Sequence, residues 1–434
     1  MRQMKDSGIE WIGEIPENWD VHSVKYALSE VKEKNYDGTE KNALKFTNGE
    51  IVRKENFNAD EDNYVADTIL NYTVVNPDTI VINGLNLNYD LKSYRVGIVK
   101  ERGIITSAYL ALLPDEDKIC PQYANLLFKG YESTMALHNM GVGLRLTLGY
   151  KEFKKQPILV PPLHEQKKIA VFIRDKCTEI DNAISKTTAS IEEYKKLKQS
   201  IITKAVTKGI RGNRPMKDSG IEWIGEIPAD WIITKLGNFV NISSGISVGR
   251  VYPAGTKLVE VPYLRVANVQ GDYLDLKDVA TIKVTPVEAI QYQLKPGELL
   301  MTEGGDRDKL GRGCIWNGEI VNCIHQNHVF AVQPNEFMYV EYLNYLTTSD
   351  VARTYFDITA KKTTNLACTS KSGIQKFLIP VPTTAEQREI VNYINEKVPL
   401  VDNIIGRKQQ LITELEAYKK SLIYEYVTGK KEVV

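Results

Sequence analysis

Residues 4–16 and 216–228 are the same thirteen residues, MKDSGIEWIGEIP, with Met216 following Met4 by 212 positions. An identical run repeated at that distance means duplication, so the fold must have two corresponding halves. A second matched pair supports this. Glu165-Gln166 and Glu386-Gln387 each open a long stretch rich in Lys and Glu, and these stretches end at Val206-Thr207 and Val427-Thr428. The order is short repeat, divergent region, long helix, and then the same again.

The 434 residues have room for two to four domains with sizeable cores. The repeats divide them into residues 1–163 (a first β-rich domain with its short repeat), 164–211 (a helical spacer), 212–383 (a second domain with its repeat) and 384–434 (a second spacer). Within each divergent region the same signals recur. Thr79–Ile82, Val96–Val99 and Tyr109–Leu112 are short β-branched or apolar runs between Gly, Asn and Pro, and Glu298–Met301, Cys314–Trp316 and Val329–Val332 repeat the layout. A helix is expected at Tyr123–Leu127 and at Tyr342–Leu346, and a proline-marked strand at Pro157–Pro161 and Leu378–Pro382. Trp11, Trp19, Trp223 and Trp231 are expected to be buried anchors. The fold class is α/β in the α+β sense: two similar domains with β-rich cores.

The helical stretches carry a seam. Ile173, Cys177, Ile180, Ile184, Thr187, Ile191 and Tyr194 alternate at spacings of four and three, followed by Lys198 and Ile201. Ile394, Val398, Val401, Ile405, Lys408, Ile412, Leu415, Lys419 and Leu422 repeat the spacing. Such heptads predict a coiled coil, with Lys198 and Lys419 as the polar positions that set register. Two matching seams separated by a folded domain predict an antiparallel pair that joins the two domains. Pro399 predicts the first turn of a new helix after a short one that begins near Thr384. Residues 178–205 as one helix span roughly 40 Å, comparable with one turn of B-DNA at about 34–36 Å.

The 55 basic and 55 acidic residues balance, so any nucleic-acid contact must come from a local basic surface. Five scattered cysteines fit a reducing compartment. The opening MRQMKDSGIEW has no signal-peptide core, and no long apolar run occurs, so a cytoplasmic location is expected. Cys314, Cys323, His325 and His328 have no usual zinc spacing, and no metal is expected. The glycine-rich run at Glu303–Gly313 lacks the Gly-Lys-Ser/Thr ending of a P-loop. Val160-Pro161-Pro162-Leu163 lacks the flanking residues of an adenine methyltransferase, and no helicase or nuclease signature is present. The chain reads as non-catalytic.

Several loops have compositions that suit DNA. In the first half these are Asn83, Asn86, Asn88 and Tyr89, then Thr106, Ser107 and Tyr109, then Arg145 and Thr147. In the second half they are Arg307, Lys309 and Arg312, then His325, Gln326, Asn327 and His328, then Lys361, Lys362, Thr363 and Asn365.

The combination resembles the specificity subunit of type I restriction–modification systems over essentially the whole chain. The residues that carry the resemblance are the twin MKDSGIEWIGEIP segments with Trp19 and Trp231, then Pro161–Gln166 and Pro382–Gln387 leading into helices with Asp181 and Asp402. The ends Leu197–Ile201 with Val206–Gly209, and Tyr418–Leu422 with Val427–Gly429, complete it. The resemblance implies two target-recognition domains, each reading half of a bipartite site on double-stranded DNA, with the helices setting the gap. It implies two docked modification subunits that methylate adenine, and it allows a translocating restriction subunit as well. S-adenosylmethionine, ATP and Mg would then be bound by the partners and no cofactor by this chain. Glu165, Gln166, Asp181, Glu386, Gln387 and Asp402 are the expected partner-docking residues. A duplicated protein- or glycan-binding module with a coiled-coil spacer and no DNA role is the alternative.

Overall fold

The computed structural model describes residues 2–433, apart from 48, 56–68, 88–93, 142–145, 272, 306–309, 312 and 363–366. It divides into two compact units, Met1–Thr188 with Gln410–Val434, and Ala189–Gln409.

The first unit is organised on a four-stranded antiparallel sheet of β1 (Leu28–Glu30), β2 (Ile80–Ile82), β3 (Val96–Ile98) and β4 (Leu110–Pro114), in the order β1-β4-β2-β3. Alternate side chains leave opposite faces of a strand. Ile80, Ile82, Leu110 and Leu112 therefore enter the main core, while Val81 and Ala111 enter a smaller cluster on the other face with Leu44, Ile51 and Val75. Both faces are covered, which explains why these strands read as continuous apolar runs rather than alternating ones. Helix α1 (Pro121–Ser133) adds Tyr123, Leu127, Phe128 and Tyr131 to the main core.

The second unit repeats the plan. Strands β5 (Val240–Ser244), β6 (Glu298–Thr302), β7 (Gly313–Trp316) and β8 (Val329–Pro334) lie in the order β5-β8-β6-β7, and helix α3 (Val340–Thr348) stands where α1 does. Leu299 and Met301 join one core and Leu300 another, the same division of faces. The additions differ. This unit carries a three-stranded sheet of Val259–Leu264, Ala280–Val284 and Ile324–His325, and a ribbon of Gly304–Gly305, Ala367–Cys368 and Lys361–Lys362.

Each short repeat folds as a hairpin, Met4 opposite Pro16 and Met216 opposite Pro228. Trp19 and Trp231, just beyond, are core residues. Trp11 packs edge-on against Tyr131 at 4.6 Å, but Trp223 is 39% exposed, contrary to its expected anchoring role. The position aligned with Tyr131 is Asp350, which has no ring to receive an indole.

Helices α2 (Leu163–Lys208) and α4 (Thr384–Val427) are the long spacers. In the first unit the start of α2 packs with the end of α4 through Ile169, Ile173, Leu422 and Ile423. In the second unit the end of α2 packs with the start of α4 through Ile202, Val206, Ile390 and Ile394. The polar seam positions find partners. Lys419 binds Asp181 at 2.7 Å and Lys198 binds Asp402 at 2.8 Å. Numbers rise along one helix as they fall along the other, which is the antiparallel sense.

Pro399 lies inside α4, which runs through it unbroken, so the expected short helix followed by a new one is not what forms. Proline removes one backbone donor and crowds the carbonyl four residues back. Here Ile394, Val398 and Val401 are buried on either side of it, and their packing holds the helix together. Both long helices stop at a left-handed glycine, Gly209 (φ 72°) and Gly429 (φ 71°), the backbone state that ends helices and that glycine adopts without strain.

Candidate nucleic-acid and partner interfaces

Strand register places the candidate reading residues at one end of each sheet. Ile82 pairs with both Val96 and Leu110, so Asn83, Arg95 and Tyr109 emerge together. In the second unit Thr302 pairs with Val329, and Glu303 and His328 emerge at the corresponding end.

At the first of these ends, Arg95 is buried and points its guanidinium at backbone carbonyls. It donates to Asn83 at 3.1 Å, Leu85 at 2.8 Å and Asn86 at 3.4 Å. That clamp shapes a loop in which Asn86 takes φ +51° and stays exposed. Leu148 N–H donates to the Gly84 carbonyl at 2.9 Å and Leu87 N–H to that of Leu146 at 3.2 Å, which brings exposed Thr147 beside Asn83 and Asn86. The turn from Thr106 to Tyr109 is held differently. Lys34 donates to Ser107 at 2.8 Å and to Thr73 at 3.0 Å, and half-buried Tyr109 packs on Phe46. Asn88, Tyr89 and Arg145 lie outside the described residues.

In the second unit His325 is buried, and burial lowers its pKa. The ring is therefore neutral, and its Nδ1–H donates to the Val329 carbonyl at 2.7 Å. His328 is exposed and pairs through Nδ1 with Glu303 at 2.5 Å. Asn327 N–H donates to Ile246 and Gln326 N–H to Leu264, both at 2.9 Å, so half-buried Gln326 and Asn327 are anchored by their backbone. Glu303 accepts from Thr369 N–H at 2.8 Å through its carbonyl, and the ribbon that follows carries exposed Lys361. Lys362 pairs with Ala367 in that ribbon. Arg307, Lys309, Arg312, Thr363 and Asn365 lie outside the described residues. Cys314 and Cys323 are core residues.

The Glu-Gln pairs that open the long helices turn inward. Gln166 is fully buried; its amide oxygen accepts from Cys120 N–H at 2.7 Å, and its nitrogen donates to Pro161 at 2.7 Å and Lys118 at 3.1 Å. Gln387 repeats this with Tyr339 at 2.7 Å, Phe337 at 2.9 Å and Pro382 at 3.1 Å. Each glutamine ties the start of a long helix to the start of α1 or α3. Glu165 receives Arg2, whose guanidinium also reaches Asn18 at 2.6 Å and lies 5.5 Å from the Trp19 ring. Glu386 receives Arg214 and the Trp231 indole N–H at 3.1 Å, and Arg214 also pairs with Asp230. Burial pushes the Glu165 carboxyl up, but the bonds and charge of Arg2, with the bond from Asn18, outweigh it and hold its pKa below the ordinary value. Asp181 and Asp402 remain exposed on the helices.

Arg2, Arg214 and Arg95 were not among the sequence candidates. For the first two a signal existed, because they precede the twin repeats at matched offsets. Arg95 had none. Among the described residues no cluster of three or more His, Cys, Asp or Glu side chains could hold a metal ion, and no helix is long and apolar enough to cross a membrane.

Two matched modules, each with a polar edge at one sheet end and a braced junction to a long helix, define a duplicated recognition scaffold. No family model matches the chain. It is 24% identical over 441 residues to a putative type I restriction enzyme MjaX specificity subunit of Methanocaldococcus jannaschii, covering 97% of this chain and 96% of that protein. The EcoBI specificity subunit of Escherichia coli is 22% identical over 325 residues, 73% of this chain and 66% of that one. Among solved structures, the HsdS subunit from Thermoanaerobacter tengcongensis superposes with a TM-score of 0.52 at 14% identity, over 96% of this chain and 98% of that one. A chain from a study of complex assembly and conformational transition of the type I R-M system reaches a TM-score of 0.71 at 15% identity, over 96% and 99%. The relatives that the chain resembles in sequence are type I restriction enzyme specificity subunits.

Proposed function

We infer that this chain is the DNA sequence-specificity subunit of a type I restriction–modification complex, itself without catalytic activity. The observation that carries the reading is the convergence of polar loop residues at the same end of two matched sheets, in a chain similar over 97% of its length to a putative specificity subunit. Each module reads one half of a bipartite site on double-stranded DNA. Asn83, Asn86 and Thr147 form the edge in the first, and His328 and Lys361 form it in the second. Residues 1–163 and 212–383 are the recognition domains, and 164–211 and 384–434 the spacers. Two modification subunits dock on the chain, and the assembly allows a restriction subunit as well. S-adenosylmethionine, ATP and Mg belong to those partners, and the complex works in the cytoplasm.

Side-chain contacts to base edges specify sequence, whereas phosphate contacts set affinity and its salt dependence. Replacing His328 and Lys361 together with alanine should therefore relax only one half of the recognised site, as read by sequencing methyladenine in DNA modified by the complex. Loss of both halves would overturn the division of labour. DNA binding that does not weaken with salt would overturn the DNA reading and favour a protein or glycan clamp.

The uninterrupted helices fix the gap between half-sites. Because Asp181 and Lys198 on α2 face Lys419 and Asp402 on α4, a heptad must be added to both helices between these pairs. The gap should lengthen while both half-sequences stay the same.

A further inference from the structure

Between α1 and the two long helices, the first unit holds a groove of about 1040 Å³. Each helix contributes one stripe to it: Leu126 and Lys129 from α1, Val171 and Arg174 from α2, Lys420 and Ile423 from α4. Two acceptors on its wall have no donor among the described residues. Asn125 is 8% exposed and its amide oxygen is unpartnered, and one carboxylate oxygen of Glu132 is likewise unpartnered while the other accepts from Arg95 N–H. A buried acceptor left without a donor costs about 1–3 kcal/mol, and more if it is charged. Lys129 lies 4.0 Å from Glu50 and Lys420 over the Tyr94 ring, so their fields reach Glu132 but neither donates a hydrogen bond to its unpartnered oxygen.

The second unit shows how such a seam closes. Tyr342 donates to the Val206 and Pro380 carbonyls as Tyr123 does to those of Val427 and Leu159, which aligns Asn344 with Asn125 and Tyr345 with Leu126. The residue aligned with Arg174 is Asn395, and the Tyr345 hydroxyl donates to it at 2.5 Å. Gln199 reaches the Thr348 carbonyl at 2.8 Å, and the Thr203 hydroxyl accepts from Asp350 N–H at 3.0 Å. In the first unit the residues aligned with Gln199 and Thr203 are Lys420 and Tyr424, and Tyr424 turns away to the Trp11 carbonyl. Leu126 cannot make the bond that Tyr345 makes.

We propose that the groove of the first unit receives a segment of one modification subunit that presents an arginine or lysine on an apolar face, the cation held by Glu132 and Asn125. This rests on the specificity-subunit reading above. A carboxylate and an amide oxygen without donors call for a cationic donor. Leu126, Val171 and Ile423 call for an apolar stem beneath it. The second unit fills its own seam with Tyr345, and its modification subunit docks without this insertion. The two docking events are therefore unequal.

The test transplants the closure of the second unit into the first. The full chain carrying Leu126→Tyr and Arg174→Asn is mixed with its modification subunit, and stoichiometry and affinity are read by mass photometry and calorimetry. The wild type should hold two copies and the variant one, with the remaining site unchanged. Glu132→Gln, which keeps shape and removes charge, should weaken one of the two sites at least tenfold with no fall in melting temperature. If both variants bind two copies with wild-type affinity, the groove proposal fails and the specificity-subunit reading stands. If the wild type binds no modification subunit, both fall.

Discussion

The corners at Trp19 and Trp231 follow the same repeated thirteen residues, yet they carry different amounts of charge. In the first, Arg2 spans Glu165 and a neutral Asn18. In the second, Arg214 spans Glu386 and the carboxylate of Asp230, and Arg211 pairs with Glu389 at 2.7 Å alongside. The Glu165 side chain is 17% exposed and that of Glu386 only 3%. One position outside the repeat, Asn18 or Asp230, thus decides whether the arginine is shared between two carboxylates. A duplicated frame keeps its geometry while its energetics drift.

Removing one partner of a buried ion pair costs about 3–5 kcal/mol, because the other charge is left uncompensated. Glu386→Ala should therefore destabilise the second unit by up to about that amount, leaving the Trp231 indole N–H without its acceptor and Arg214 with Asp230 alone. Glu165→Ala should cost the first unit less, about 1–2 kcal/mol, since water reaches Arg2 more easily. Urea unfolding of both variants compares them, and equal losses would break the distinction between the corners.

Within the first unit two carboxyls respond to pH in opposite directions. Glu165 sits below the ordinary value, so its contribution is complete above the unfolded value and fades as pH falls through the depressed one. Burial pushes Glu132 up to about 7, against bonding to Arg95 and the fields of Lys129, Arg95 and Lys420. Ionising it in the folded state is costly. The free chain should therefore lose stability as pH rises from roughly 4.5 to 7, with the full penalty above that. Glu132→Gln should recover up to about 3 kcal/mol at pH 8 and almost nothing at pH 5. Melting curves at the two pH values decide, and a gain that does not depend on pH would reassign the effect to packing.

The smallest effect belongs to the helix seam. Asp181→Asn and Asp402→Asn each break a half-exposed pair, for about 0.2–1 kcal/mol. The two losses should match, because the pairs are equivalent in geometry; a large excess in either would show that the seams carry unequal loads.

Local periodicity and repetition made much of this readable before any coordinates. The apolar runs at Ile80–Ile82 and Glu298–Met301 were recognisable as strands, and the heptads placed Lys198 and Lys419 in the seam. Pairing was not readable. Lys198 and Lys419 find Asp402 and Asp181 across separations of 204 and 238 residues, and no local pattern reports that. Gln166 and Gln387 were partner-docking candidates through the resemblance; only the fold shows their amides bonded to the approach to the domain helix. Pro399 read as a break because the rule for proline is local and the packing that overrides it is not. At the reading edges residue types were visible but not their grouping, since strand register is what joins Asn83 to Tyr109 and Glu303 to His328.

The first unit draws on both ends of the sequence. Tyr123 donates to the Val427 carbonyl and Lys430 to that of Glu14, while residues 189–409 form the second unit from one continuous stretch. A ribosome makes chain from the N-terminus at about 5–20 residues per second. The half synthesised first therefore waits, with part of its core uncovered, until the half synthesised later is complete and the last helix has been delivered.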